Sequence, residues 1–167
     1  MDLEIIFENA FDWRKPPINV LPENITIKHA QLDSLYGDAY YFRERHWKLF
    51  TLKEINSHSD LLFGSNSYAA CYFLPGIFFA VYREKILTSI VIDYALNPLL
   101  LGYEKLILDS FNFERYLLLN HSELSAIKQW LNWYYDLQGM QLDEYAITCE
   151  TLDLLISNNL SVGNKNL

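Results

Sequence analysis

The side chains able to do chemistry in this chain are few and scattered. A zinc site needs three or four His, Cys or carboxylate ligands in short-spaced pairs. His29, His46, His58 and His121 each stand alone, with no His-Glu-x-x-His and no Cys-x-x-Cys. A nucleophile elbow needs Gly-x-Ser-x-Gly. Gly64-Ser-Asn-Ser67 does not complete it, and its serines suit helix caps instead. The six glycines are dispersed and form no phosphate-cradling loop. Neither Cys71 nor Cys149 has a neighbouring cation in sequence to lower its pKa, so both are expected to be buried and inert. We therefore expect no catalytic residue, no metal and no cofactor. The alternatives are an enzyme whose site is assembled from Asp109, Glu114, Tyr116 and His121, with its reaction unspecified, and a homo-oligomeric accessory protein.

Charge is more informative than any motif. The 167 residues carry 21 acidic and 13 basic side chains, a formal charge of -8. That balance argues against a nucleic-acid or anionic-membrane binder, which normally needs a basic face. Apolar residues make up 51% and charged residues 20%, which excludes intrinsic disorder.

The charge is uneven along the chain. Trp13 to Lys53 holds seven basic and four acidic residues, interleaved with aromatics at Tyr40, Tyr41, Phe42, Trp47 and Phe50. Such a segment can bind single strands. With the rest of the chain negative, the expectation is instead that Tyr41, Phe42, Trp47 and Phe50 pack inward. Arg43, Arg45 and Lys48 would then pair with the acidic half.

From residue 129 to 164 there are five acids (Asp136, Asp143, Glu144, Glu150 and Asp153) and no Lys or Arg. Asp143, Ile147, Glu150 and Leu154 recur at i, i+4, i+7 and i+11, a stripe rotated away from Leu142, Cys149 and Ile156. Apolar side chains among carboxylates suit docking onto a basic protein partner. The candidate partner-binding residues are thus Asp136, Asp143, Glu144, Ile147, Glu150 and Leu154. The same apolar residues would also suit contact with another part of the chain or with a homodimer mate.

These residues need elements to position them. Leu3, Ile6, Phe7, Ala10 and Phe11 have helical spacing, and Pro16-Pro17 should follow as an extended connector. Residues 25–36 suit strand or helix, ending at Gly37-Asp38. Thr51-Leu-Lys-Glu54 is a capping box. Ser65-Asn66-Ser67 should cap a helix over 67–83, kinked or broken at Pro75 and eased by Gly76. Ile86, Leu87, Ile90, Val91 and Tyr94 form a helical stripe over 84–97, stopped by Asn97-Pro98. A short helix near 103–110 should precede irregular chain to 119. Asn120-His-Ser-Glu123 caps a strongly amphipathic helix over 121–138, closed by Gly139 in a left-handed cap. A last helix is expected over 142–157.

The expected fold is mostly α, a single-domain irregular bundle of about six to seven helices over residues 1–157, with a frayed polar tail at 158–167. The run Leu61 to Tyr82 lacks charge but contains Gly64, Pro75 and Gly76, and suits no membrane span. Met1-Asp-Leu-Glu4 carries acids where a signal peptide carries positive charge, so a cytoplasmic protein is expected.

Several pieces, taken in order, resemble an uncharacterised bacterial all-helical domain family. They are Asn9-Ala-Phe11 before Pro16-Pro17, Trp47, Tyr72-Phe-Leu-Pro75 after Ser67-Tyr-Ala, and Leu119-Asn-His-Ser-Glu123 before Ala126-Ile127 and Trp130-Leu131. Cys71 and Asn120-His121 depart from the family's pattern while keeping its structural roles. The resemblance covers residues 3–138 and implies a helical fold but no activity. An immunity-protein role follows by analogy alone.

Overall fold

The computed structural model describes residues 2–139 and 142–163. It is mostly α-helical, with ten α-helices and no strand among the described residues. That exceeds the expected six to seven because residues 27–41 fold as two helices and the chain expected to be irregular before residue 119 holds a helix of its own. Contacts group the chain into two compact units, residues 12–95 and residues 1–11 with 96–167.

The 12–95 unit holds α2 (Ile27–Leu32), α3 (Ser34–Tyr41), α4 (Leu52–Ser57) and α5 (Ser67–Glu84). Thr26 caps α2 and Asp33 caps α3 through their side-chain oxygens. The ambiguous 25–36 stretch is therefore helical, and Gly37 lies inside α3 rather than ending a helix. A Cβ at Gly37 would come within 2.9 Å of the Ala30 carbonyl oxygen, so glycine permits α2 and α3 to approach. The Thr51–Glu54 capping box forms as predicted.

Asn66 supplies the cap of α5, accepting from the Ala69 N–H at 2.8 Å. Of the expected kink or break at Pro75, the break does not occur: the helix is continuous from Ser67 to Glu84. Every residue from Ala69 to Val81 in it is buried, and that packing outweighs the one backbone bond proline forfeits. Gly76 serves packing, because a Cβ there would overlap the Phe50 ring. Phe42, Phe50 and Phe73 form one ring cluster, with Phe42 and Phe50 centroids 4.6 Å apart. Trp47 meets Phe79 edge-on at 5.3 Å.

Of the aromatic-basic segment, Phe42, Trp47 and Phe50 pack inward as expected, while Tyr41 stays exposed. Arg43, Arg45 and Lys48 each meet a carboxylate of this same unit. Arg45 meets Glu54 at 2.9 Å, Lys48 meets Asp12 at 2.8 Å, and Arg43 meets Glu44 at 3.8 Å. Burial pushes the Glu54 carboxyl up, but Thr51, Arg45 and Tyr41 outweigh it and hold Glu54 below its ordinary range.

α6 (Ile90–Leu100) joins the units in sequence. It starts later than the predicted stripe, since Lys85 closes α5 in the left-handed conformation. Pro98 does not stop it, and the helix runs on to Leu100. Leu96 and Leu99, on either side of the proline, are both buried.

The other unit holds α1 (Leu3–Phe11), α7 (Tyr103–Leu106), α8 (Ser110–Leu117), α9 (His121–Gln138) and α10 (Leu142–Gly163). α1 and α10 pack on α9, and α7 and α8 pack on α10. α9 has the predicted bounds, with the Asn120–Glu123 capping box and Gly139 at φ 61°. α8 replaces the expected irregular chain, capped by Asp109 accepting from the Asn112 N–H at 3.2 Å. α10 runs past the predicted residue 157 to Gly163. The end of the expected tail, residues 164–167, lies outside the described residues. No helix among the described residues is long and apolar enough to cross a membrane.

Candidate functional site

Three of the four residues of the predicted stripe line a groove. Ile147, Glu150, Thr151 and Leu154 of α10 form one wall, and Leu101, Gly102, Tyr103, Glu104 and Lys105 form the other, around a cavity of about 350 Å³. Ile147 and Leu154 are each 40% exposed. The turn into α7 makes this possible. Gly102 adopts φ 82°, a conformation open to glycine and strained for other residues.

α10 holds that turn by two polar contacts. The buried Thr151 hydroxyl lies within donating distance of the Leu99 carbonyl, 3.1 Å, and of the Ile147 carbonyl, 2.8 Å. The Asn158 amide donates to the Tyr103 hydroxyl. Phe113 meets the Tyr103 ring edge-on at 6.3 Å, so both ends of that side chain are fixed. These contacts hold the groove's second wall in place.

Of the six predicted partner-binding residues, the structure brings Ile147, Glu150 and Leu154 together. Asp136 is exposed on α9, Asp143 is exposed and Glu144 half-buried at the start of α10, and none of the three lines the groove. Asp136, Asp143, Glu144 and Glu150 form no ion pair among the described residues, whereas Asp153 pairs with Lys128 at 2.6 Å. Leu101, Tyr103, Glu104, Lys105 and Thr151 belong to the groove and were not predicted. Their only signal is a glycine followed by an aromatic at a helix start.

The charge separates by unit. Residues 12–95 hold nine acidic and nine basic side chains, while the other unit holds twelve acidic and four basic. The whole excess of -8 therefore belongs to the unit that carries the groove.

The alternative catalytic residues do not meet in this groove. Asp109 caps α8, Tyr116 is buried, and Glu114 and His121 are exposed. Arg115 is buried, 3.5 Å above the Phe111 ring, and burial lowers its guanidinium to about 10. Both cysteines are free thiols, Cys71 buried and Cys149 half-buried. The neighbouring Cys149 raises the pKa of the Tyr145 hydroxyl, which donates to Asn132 Oδ1 at 2.9 Å.

A His–carboxylate pair lies in the 12–95 unit. His58 Nδ1 lies 2.9 Å from Asp38 in a shallow depression also lined by Asp33, Tyr40, Tyr41 and Arg43. The other Asp38 oxygen accepts from the Asp60 N–H at 3.0 Å, and the His58 ring stacks on Tyr41 at 4.0 Å. No Ser, Thr or Cys hydrogen-bonds to His58 among the described residues. The pair ties α3 to the 3₁₀ turn at Ser59–Leu61. No group of three or more His, Cys, Asp or Glu among the described residues could hold a metal ion.

No family model, curated protein or solved structure matches this chain.

Proposed function

We propose that this chain is a protein-binding module acting by contact rather than chemistry, an inhibitor of the immunity-protein kind that blocks a basic toxin. The observation that supports it is the coincidence of charge and groove: the unit with the entire net charge also presents, beside half-exposed Ile147 and Leu154, carboxylates that form no ion pair among the described residues. Acidic surface steers a basic partner into encounter, and apolar anchors slow its departure. A toxin that holds nucleic acid must be basic, so an acidic inhibitor can cover that site sterically and electrostatically. The toxin class enters by analogy with other small acidic bacterial proteins.

Co-expression with the protein encoded beside it tests this. We expect the neighbour alone to arrest growth, this chain to rescue it, and the two to co-purify. Asp143→Lys with Glu150→Lys should abolish rescue while the circular dichroism spectrum is unchanged. A harmless neighbour that does not bind overturns the reading.

A further inference from the structure

The groove's chemistry identifies the side chain it is built to hold. We propose that it receives an arginine of the basic partner, an inference that rests on the protein-binding reading above. Three features converge. Glu104 stands on one wall and Glu150 on the other, so two carboxylates face one cavity. Leu101, Ile147 and Leu154 supply apolar walls on which a three-methylene stem can lie. Tyr103, held by Asn158 and Phe113, offers a fixed aromatic ring. A planar guanidinium can donate to two carboxylates at once and stack on a ring, whereas an ammonium is a more strongly hydrated point charge.

Lys105 lines the same cavity and forms no ion pair among the described residues. It leaves one uncompensated negative charge in the groove, and its ammonium repels an entering cation. An entering arginine would displace its influence, so Lys105 sets affinity downward. That gives the proposal a prediction of opposite sign to the carboxylate variants.

The test uses the full chain and two helical peptides of equal charge, one of Leu and Arg and one with every Arg replaced by Lys. Calorimetric titration should show the Arg peptide binding about tenfold more tightly, the effect expected of one charge-assisted bidentate contact. Glu150→Gln and Glu104→Gln should each erase the Arg preference. Lys105→Ala should tighten the Arg peptide. Asp136→Asn, outside the groove, should weaken both peptides equally.

Equal affinity of the two peptides, or equal response to Glu150→Gln and Asp136→Asn, overturns the arginine site. If neither peptide binds while the co-expressed neighbour does, the groove proposal fails and the protein-binding reading stands. If neither peptide nor neighbour binds, both fail. A dimer in sedimentation that Leu154→Arg dissolves would assign the groove to a second copy and overturn the proposal.

Discussion

Tyr72 shows how one buried hydroxyl can govern behaviour outside the neutral range. Its side chain is fully buried in α5, and its oxygen accepts from the Trp47 N–H at 3.2 Å. Burial pushes the hydroxyl from 10.0 up to about 12, with the Trp47 hydrogen bond opposing and Tyr68 and Asp12 adding to the rise. The native state therefore keeps a proton that the unfolded chain loses. Stability from this group is complete below pH 10 and is lost as pH rises toward about 12. A single proton limits the slope to about 1.4 kcal/mol per pH unit. Denaturant titrations at stepped pH should show this fall, and Tyr72→Phe should flatten it. The same substitution should cost about 1–3 kcal/mol at pH 7, because the buried Trp47 N–H loses its acceptor. An alkaline slope unchanged in Tyr72→Phe would place the titration elsewhere.

Helix ends carry the next scale, and α9 is the clearest case. Asn120 Oδ1 accepts from the Glu123 N–H at 3.1 Å, and Glu123 Oε2 accepts from the Asn120 N–H at 2.7 Å. The Glu123 side chain is buried, so the box also keeps a carboxylate satisfied in the core. Asn120→Ala should lower stability by about 1 kcal/mol, while Asn120→Ser should restore most of it, as read by chemical denaturation. This cap was legible in the sequence because both partners lie within one turn, as were those at Thr51 and Asn66. Gly37 and Pro98 misled for the converse reason. Each breaks a helix when judged locally, yet each is held inside one by packing, on the Ala30 carbonyl and around Leu96 and Leu99. The groove divides the same way. Ile147, Glu150 and Leu154 are visible as a period on α10, whereas Leu101 to Lys105 have no period and reach the groove only through long-range bonds such as Thr151 to Leu99.

At the scale of the molecule, the two units differ most in charge, balanced in one and -8 in the other. An uncompensated field of that size acts on encounter before any contact forms, and it is screened over about 8 Å at physiological ionic strength. Contacts inside the groove are shielded and act on departure instead. Association with a basic partner should therefore slow markedly between 50 and 500 mM salt, by about an order of magnitude or more, while dissociation changes little. Charge reversal should follow the same division. Asp136→Lys, exposed and outside the groove, should lower the association rate and its salt dependence with little effect on dissociation. Leu154→Ala should raise the dissociation rate with little effect on association. Glu23→Lys, exposed in the balanced unit, should change neither by as much as Asp136→Lys, because it lies outside the unit whose field steers the partner. Surface plasmon resonance across that salt range separates the rates. An association rate indifferent to salt and to Asp136→Lys would mean that the acidic excess serves some purpose other than capturing a basic partner.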